Sequence, residues 1–464
     1  MVADHLTIRN LTSTPVTLKR IERLRPLGLT KSVTRVFTNR TRADASITAS
    51  EPFAHEDVEI RVDPFQTVKT DLRTYVNSDK EKLRWIFEAE GEPHQVHTPV
   101  PTVESATMRA LCDDPKLNLT AVYVTPEAHL AIYSSARMHS WMGELKDSLL
   151  LSSLSIPGTH NSATCYVAPP SVRCQAVSPK EQLQNGVRFF DIRVQPQYPD
   201  DAARDELILV HGVFPISFKG NRYLRDLMRD IDDFLDANPS ETLIVSIKRE
   251  GPGTHTDQQL SRILADHYAR PDNTKWYTRP KIPTLGDARG KVVLLRRFDI
   301  DDRLKALHDG QGWGIDAGGW ADNCDHATCP SGLVCIQDFY EVLAKHTIHQ
   351  KVQYVLNHCR RAGERRHLPS GDGGAGGGGA HPFFINFLSA SNFWKLGTWP
   401  EKIAAKVNPA TVEYLCRRHC DNDGDWSTGV LVTDWVGKDG DWDIVRCIVG
   451  MNARLRLRHE EQRG

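Results

Sequence analysis

Two histidines of the sequence each follow a short apolar segment and have the chemistry needed to move protons. His160 comes shortly after Leu154–Ile156, and His211 comes directly after Leu207–Val210. A neutral imidazole can take a proton from an attacking hydroxyl, and a protonated one can give a proton to a leaving oxygen. Asp434 follows a third apolar segment, and such a carboxylate can orient a histidine and fix its tautomer. These residues predict acid–base chemistry.

Other polar side chains lie at or just after the ends of further apolar segments. They are Asp191, Arg193, Lys248, Arg297, Asp338 and Tyr340. Arginine and lysine can hold a phosphate and stabilise charge on its oxygens, so the set as a whole predicts phosphodiester chemistry. Each residue also has a structural interpretation. Lys248 could pair with Glu250, Arg193 could brace Asp191, and Asp338 could cap a helix. The number of such residues at strand ends favours the chemical interpretation.

Eight short apolar segments carry these residues, and helical stretches separate several of them. The segments are Leu154–Ile156, Val187–Ile192, Leu207–Val210, Leu243–Ile247, Val292–Leu295, Leu333–Ile336, Phe383–Phe387 and Val430–Val432. Tyr223–Ala237 repeats apolar residues with helical spacing. Continuous apolar strands linked by helices predict a parallel sheet buried on both faces. The sequence therefore predicts an irregular (β/α)8 TIM barrel, whose strand ends meet on one face.

The first part of the chain has a different pattern. Residues 1–136 contain alternating apolar and polar segments, among them Leu6–Arg9, Val16–Ile21, Val58–Val62 and, more loosely, Ala121–Val124. This alternation, together with frequent Thr, Val and turn residues, predicts a half-buried antiparallel sheet, most simply a β-sandwich. We therefore expect an α/β protein with an all-β accessory domain over residues 1–136 and a barrel domain over residues 140–464.

The composition is that of a globular protein and excludes several classes of function. Of the 464 residues, 40% are hydrophobic and 25% are charged, and the formal net charge is −1. Such a balance provides no basic field for nucleic acid or an anionic bilayer. There is no apolar run of about 18 residues, so no transmembrane segment is predicted. The start Met1–His5 lacks a secretory signal. We expect a cytoplasmic or peripheral membrane protein, or a secreted one whose leader was removed.

The cysteines predict no metal centre. Ten cysteines include no C-x-x-C pair, and the run Cys416–Cys420 matches no common zinc spacing. Cys165 with Cys174 could form a disulfide in an oxidising compartment, and the group Cys324, Cys329 and Cys335 could do the same. Free thiols are expected if the protein is cytosolic.

Two further segments only superficially match ligand-binding loops. Asp421–Asp425 has a misplaced glycine for a calcium loop and lacks the final glutamate, so we interpret it as a turn. Gly371–Gly379 lacks the Lys-Ser/Thr pair and the following helix of a phosphate loop. We interpret that stretch as a surface loop.

From Trp141 to Cys447 the sequence resembles the phosphatidylinositol-specific phospholipase C family in its X-type catalytic domain. The motifs that carry the resemblance are, in family order, Leu154–Asn161, Gln184–Arg193, Val210–Gly212, Glu241–Lys248, Leu285–Lys291 with Leu295–Phe298, Gln337–Tyr340, Ile385–Phe387 and Thr433–Trp435. Any one motif is weak, but eight in order are specific. The resemblance implies an enzyme whose substrate is a phosphoinositide lipid at a membrane surface.

The resemblance also implies roles for the candidate residues. His160 would be the general base on the inositol 2-hydroxyl, oriented by Asp434, and His211 would be the general acid on the diacylglycerol oxygen. Arg193, next to Asp191, would contact the phosphate. The inositol pocket would be lined by Lys248, Arg297, Asp338 and Tyr340. The 2-hydroxyl would attack its own phosphate and give a cyclic inositol phosphate, so proximity would supply much of the rate.

Two positions bear on metal dependence. The calcium-dependent branch of the family has acidic residues where this chain has Arg193 and Lys248. Fixed cations at these positions imply the metal-independent branch, with no metal and no cofactor. Asn161 departs from that branch, which has an aspartate there to support the second histidine and the arginine. Because an amide stabilises a charged imidazole less than a carboxylate does, we expect Asn161 to affect His211.

Two other functions remain open. A related barrel phosphodiesterase that acts on glycerophosphodiesters or sphingolipids would bind a divalent ion through acidic strand ends, and Arg193 and Lys248 count against it. A weakly catalytic lipid-binding module led by the N-terminal domain is disfavoured by the presence of both histidines with Asp434. The sequence does not indicate what residues 1–136 bind.

Overall fold

The structure is a computed structural model that describes residues 5–25, 51–73, 82–98, 104–124, 128–135, 137–365, 381–392, 394–419 and 424–455. The glycine-rich stretch 371–379, Cys420 and residues 421–423 lie outside the described residues. The chain divides into two compact units. The first contains Met1–Met138, Val412–His419 and Gly437–Gly464, and the second contains His139–Thr411 and Cys420–Val436.

The strands are numbered β1–β22 in chain order. They are β1 (His5–Leu11), β2 (Val16–Leu24), β3 (Ala54–Val62), β4 (Thr67–Arg73), β5 (Lys82–Ala89), β6 (Glu92–Thr98), β7 (Glu104–Thr107), β8 (Arg109–Ala110), β9 (Thr120–Val124), β10 (His129–Tyr133), β11 (Ile156–Thr159), β12 (Phe189–Pro196), β13 (Leu207–His211), β14 (Phe214–Pro215), β15 (Leu243–Arg249), β16 (Trp276–Tyr277), β17 (Val292–Arg296), β18 (Ile315–Asp316), β19 (Ala327–Thr328), β20 (Val334–Gln337), β21 (Phe383–Phe387) and β22 (Val430–Thr433). The α-helices are α1 (Pro179–Gln184), α2 (Leu224–Ala237), α3 (Asp257–Ile263), α4 (Leu285–Ala288), α5 (Asp302–Lys305), α6 (Leu307–Gly310), α7 (Lys345–Gly363), α8 (Pro400–Arg417) and α9 (Asp443–Gly450).

The first unit has two five-stranded sheets that share one apolar core. Their strand orders are β4-β1-β10-β9-β7 and β3-β2-β5-β6-β8. Alternate residues of the strands point inward, as Leu6 and Ile8 do in β1 and Trp85 and Phe87 do in β5, and all four are essentially inaccessible to solvent. The strands that the sequence predicts in this region are therefore confirmed.

The first unit contains helical residues as well as the expected strands. The first unit also includes α9 and the end of α8. The buried guanidinium of Arg9 donates hydrogen bonds to the carbonyl oxygens of Cys416 and His419, over 3.2 and 2.7 Å. Because the last carbonyls of a helix have no partner within it, this arginine satisfies the end of α8. The division predicted at residues 136–140 stays a prediction.

The second unit is built on one curled, mainly parallel sheet. Its strand order is β16-β17-β15-β12-β11-β22-β21-β20-β19, with β13, β14 and β18 off this path. The pairs from β17 to β20 along this order are all parallel. Their central residues are buried on both faces, as expected for parallel strands covered by helices. The apolar face of α2, with Leu227, Ile231 and Phe234 buried, confirms the helix predicted there.

The prediction of eight parallel strands is wrong for the third. β13 runs antiparallel to β12, with Val194 opposite Leu209. A parallel return needs a crossover of a dozen or more residues, usually a helix. Only residues 197–206 separate the two strands, and they contain no helix. Among the described residues, no ladder closes the sheet between β19 and β16, so the architecture is a half-barrel.

Candidate active site

The register of the parallel strands brings the predicted residues to one edge of the sheet. Thr159 pairs with Thr433, so the residues that follow them, His160 and Asp434, are neighbours. A cavity of about 500 Å³ opens at this edge. The predicted site residues that line it are His160, Arg193, His211, Lys248, Arg297, Asp338, Tyr340 and Asp434. The two remaining predicted residues, Asn161 and Asp191, are buried and contact these residues from behind.

His160 is held through both of its ring nitrogens. Its Nδ1 lies 2.9 Å from Oδ1 of Asp434, and its Nε2 accepts a hydrogen bond of 3.0 Å from the side-chain amide of Asn161. This arrangement fits a neutral imidazole with the proton on Nδ1. Burial by itself lowers the pKa of His160, but the Asp434 carboxylate and the Cys174 thiol raise it by more, so the pKa lies well above the ordinary value and the neutral form is the one present above that pKa.

The backbone at Asn161 fixes this geometry. Its φ of 42° lies in the left-handed region, which asparagine tolerates better than most residues. The backbone N–H donates to Oδ2 of Asp191 over 3.1 Å, and Gln175 donates to the carbonyl oxygens of His160 and Thr433. The side-chain oxygen of Asn161 is buried and has no hydrogen-bond partner among the described residues. The expected neighbour of the Asn161 amide was His211, but the structure shows that it is His160.

His211 faces the same cavity from the end of β13. Its Nδ1 lies 2.8 Å from the carbonyl oxygen of Val172, so Nδ1 carries a proton and donates it to that oxygen. The rings of His160 and His211 meet edge to face, with their centroids 5.8 Å apart. Burial lowers the pKa of His211, but Cys174 and the Val172 carbonyl raise it, and the net shift is upward. A raised pKa favours the protonated form that a general acid needs.

Cys174 also belongs to the site, although the sequence did not predict it. Its Sγ is buried and lies 3.8 Å from Nδ1 of His211. Burial and Asp434 raise the pKa of this thiol, but the two histidines lower it, and the net shift is downward. The nine described cysteines are all free thiols, so the disulfides considered for Cys165 with Cys174 and for the Cys324 group are absent from the described residues.

The cations of the site are fixed by buried carboxylates. Arg193 donates from Nε and Nη2 to Asp191 over 2.9 Å, and Arg297 lies 3.5 Å from the same carboxylate. Burial raises the pKa of Asp191, but Arg193 and Arg297 lower it to about 2. Asp191 is therefore charged, and it holds two guanidinium groups at the cavity wall. A carboxylate already paired in this way is a poor ligand for an additional hard cation.

Glu250 is a second functional residue that the sequence analysis did not assign to the site. Its Oε1 accepts from Arg193 and lies 3.0 Å from Nζ of Lys248, and its Oε2 accepts from the backbone N–H of Gly212 over 2.9 Å. Burial raises the pKa of Glu250, but Arg193 and Lys248 lower it far below the ordinary range. The available signal was its spacing, because Glu250 comes two residues after Lys248, at the end of β15, where alternate residues of a strand share one face.

The far wall of the cavity is aromatic and acidic. The guanidinium of Arg297 stacks 3.8 Å above the ring of Trp320, whose Nε1 donates to Asp338 over 3.0 Å. The Tyr340 hydroxyl donates to Oδ1 of Asp322 over 2.8 Å. Burial and Asp322 raise the pKa of Tyr340 to about 12. Trp320 and Asp322 lie in an irregular segment without a sequence motif, which is why the sequence did not predict them.

Comparison with protein families matches residues 151–298 to the phosphatidylinositol-specific phospholipase C X domain. Over 174 residues the chain is 35% identical to 1-phosphatidylinositol phosphodiesterase of Listeria monocytogenes, a stretch that spans 35% of this chain and 50% of that protein. Over 341 residues it is 26% identical to 1-phosphatidylinositol phosphodiesterase of Staphylococcus aureus strain Newman, which covers 70% of this chain and 97% of that protein.

Solved structures of phosphatidylinositol-specific phospholipase C from Staphylococcus aureus have a similar fold. One of them is 24% identical in sequence, with a TM-score of 0.54, and the match covers 68% of this chain and 99% of that one. At this level of identity the likeness concerns the fold alone.

Proposed function

Because the chain belongs to the phosphatidylinositol-specific phospholipase C family, we propose that it cleaves phosphatidylinositol to diacylglycerol and a cyclic inositol phosphate without a metal ion. The observation that carries the proposal is the pair of histidines on one cavity, with His160 bound to Asp434 and His211 bound to the carbonyl oxygen of Val172. Because the two imidazoles have different hydrogen-bond partners, one can act as the base and the other as the acid in the same reaction.

The proposed first step is an internal transfer of the phosphoryl group. When the inositol 2-hydroxyl replaces the Asn161 amide at Nε2 of His160, that nitrogen takes the hydroxyl proton, and the hydroxyl oxygen forms a bond to the phosphorus of the same molecule. The bond between phosphorus and the diacylglycerol oxygen breaks, and His211 gives that oxygen a proton. Since the nucleophile is already attached to the phosphate, holding it in line provides much of the acceleration.

The cations would stabilise the charge that develops on the phosphate oxygens. Arg193 is fixed by Asp191 and Glu250, so little reorganisation is needed when the substrate binds. We assign Lys248, Arg297, Asp338 and Tyr340 to the inositol ring, because they line the same cavity and offer both donors and acceptors to hydroxyl groups.

Metal independence is supported by the same charges. The two carboxylates beside Arg193, those of Asp191 and Glu250, are each engaged by its guanidinium. A calcium ion among these groups would be repelled by the guanidinium, and it would have to compete with the arginine for oxygen ligands. The runner-up function, a metal-dependent phosphodiesterase acting on glycerophosphodiesters or sphingolipids, needs free carboxylates at these strand ends.

A product assay separates these functions. Phosphorus NMR should detect a cyclic inositol phosphate from phosphatidylinositol vesicles, with equal rates in excess chelator and in calcium. Loss of activity in chelator that calcium restores would contradict the proposed mechanism. Turnover of glycerophosphodiesters or sphingomyelin in preference to phosphatidylinositol would favour the alternative substrates. No turnover of any of them, with retained lipid binding, would favour a lipid-binding module.

We also propose that the second unit acts at a membrane surface. Val213 is 63% exposed and Phe218 is 69% exposed, close in sequence to His211, and Trp394 is 89% exposed near Ser391, which lines the cavity. Exposed apolar residues beside a cavity are typical of lipid contact. Among the described helices, none is long and apolar enough to cross a membrane.

A final proposal concerns the domain organisation. We propose that residues 140–464 form a catalytic domain built on the half-barrel sheet, and that residues 1–136 form an accessory β-sandwich. We further propose that the protein works in the cytoplasm or peripherally on a membrane, and that it needs no cofactor.

A further inference from the structure

Three side chains at the cavity floor form a group with the dimensions of a metal site. His160, Cys174 and His211 each offer one ligand atom, and these atoms all lie within 4.8 Å of one another. The Sγ of Cys174 lies 3.8 Å from Nδ1 of His211. The two imidazoles line the cavity, whereas the thiol is completely buried behind them. An ion that enters the cavity therefore meets the histidines first and the sulfur next.

The donor set selects a particular class of ion. Two nitrogens and one sulfur suit zinc and similar borderline-soft divalent ions, whereas calcium and magnesium take oxygen ligands. The Zn–S and Zn–N distances of a tetrahedral site separate neighbouring ligand atoms by roughly 3.3–3.6 Å. The observed separations, all within 4.8 Å, exceed this by up to roughly 1.5 Å, so side-chain movements of that size would bring the three atoms to one ion.

We propose that His160, Cys174 and His211 form a binding site for a zinc-class divalent ion, and that its occupation inhibits the enzyme. Binding exchanges the thiol proton for the ion and releases that proton to solvent, while the proton on Nδ1 of His211 moves to Nε2 of the same neutral ring so that Nδ1 can bind the ion. No oxidation state changes. An imidazole nitrogen bound to the ion cannot exchange a proton with the substrate. Inhibition thus rests on the proposed function, whereas binding does not.

Direct binding tests the site without reference to activity. The full-length protein is stripped with chelator, freed of the chelator and titrated with Zn²⁺ and with Co²⁺. We expect Cys174→Ala to bind one ion fewer, or to bind it at least about 10-fold more weakly, since even the loss of a ligand's supporting partner typically costs that much. The absorption band from thiolate to Co²⁺ should weaken in the same variant. Cys165→Ala is the matched control, because it removes a half-buried thiol from the same segment.

Inhibition is measured separately on phosphatidylinositol vesicles. The Zn²⁺ concentration that halves each variant's own activity should rise at least about 10-fold in Cys174→Ala and stay unchanged in Cys165→Ala.

Equal Zn²⁺ stoichiometry and affinity in wild type and Cys174→Ala would overturn the proposal, as would a wild-type Co²⁺ spectrum without a thiolate band. If Cys174→Ala fails to fold, the thiolate band in the wild-type Co²⁺ spectrum still shows whether a cysteine binds the ion, and Cys174→Ser serves as the second variant. If no lipid is cleaved, the binding result stands and only the proposed function fails.

Discussion

The side-chain amide of Asn161 donates a hydrogen bond to Nε2 of His160 over 3.0 Å, and Nε2 is the atom that the proposed mechanism uses as the base. An amide can serve either form of the imidazole, because its nitrogen donates to the neutral ring and its oxygen, after rotation, accepts from the charged ring. That oxygen is buried without a partner among the described residues. A carboxylate could only accept, so it would favour the charged ring alone.

The first prediction is that Asn161→Asp moves the acidic limb of the pH profile to higher pH. A carboxylate beside His160 raises the pKa of that histidine, and the base must be neutral to act, so more alkaline conditions are needed to deprotonate it. The measurement is kcat/KM against pH. Asn161→Gly keeps the left-handed backbone without adding charge and should move this limb much less. A shift of the alkaline limb alone would instead connect residue 161 with His211.

The second prediction distinguishes the two histidines by the leaving group. His160→Ala and His211→Ala should each lower kcat/KM by about 10²-fold or more. A substrate with a good leaving group needs little protonation, so it should partly rescue His211→Ala and leave the loss in His160→Ala unchanged. His349→Ala, on the exposed side of α7, is the control and should have no effect. Equal rescue of both variants would show that the roles are assigned wrongly.

Strand ends were the part of the site that the sequence could predict. His160, the cations and Asp434 follow apolar segments whose parallel pairing the pattern indicates, and the register then brings them together. His211 follows β13, which the structure shows to be antiparallel. The sense of β13 was not predictable from its apolar character, because an apolar strand pairs equally well in either direction. What decided it was the short connection from β12.

The site residues that lie in loops could not be predicted from the strand pattern. Cys174 and Trp320 lie in irregular segments, and their approach to the site depends on how those segments fold back over the sheet. The orientation of the Asn161 amide depends on a left-handed backbone angle that no periodicity predicts. Glu250 was visible in the sequence, but only its burial shows that it pairs with Arg193 and is not a surface residue.

The third prediction concerns stability in acid. The pKa of Asp191 is lowered from 3.8 to about 2 in the folded protein. The stabilisation is fully present above the unfolded pKa and is lost as the pH falls from about 4 towards 2. At neutral pH it amounts to about 2 kcal/mol. Asp191→Asn should therefore reduce the free energy of unfolding near pH 7 and flatten its pH dependence below 4.

Denaturant unfolding at several pH values measures this effect. The control is Asp233→Asn, on the exposed face of α2, which should leave the pH dependence as it is. A variant at residue 191 that keeps the wild-type slope below pH 4 would mean that other carboxylates control acid unfolding.

The last prediction concerns the exposed apolar residues that lie close in sequence to the cavity-lining residues His211 and Ser391. Phe218 and Trp394 are 69% and 89% exposed, and transfer of such a ring from water into a bilayer interface is favourable by roughly 1.5–3 kcal/mol when burial is complete. Phe218→Ser and Trp394→Ser should each weaken binding to phosphatidylinositol vesicles by roughly 10-fold or more. Neither side chain lines the cavity, so turnover of a monomeric short-chain substrate should be unchanged.

Leu307→Ser, at a 40% exposed leucine away from the cavity lining, is the matched control. Vesicle sedimentation and monomer kinetics on the same preparations separate the two effects. A parallel loss of both would mean that these residues support the site itself, and unchanged vesicle binding would remove them from the lipid-contacting surface.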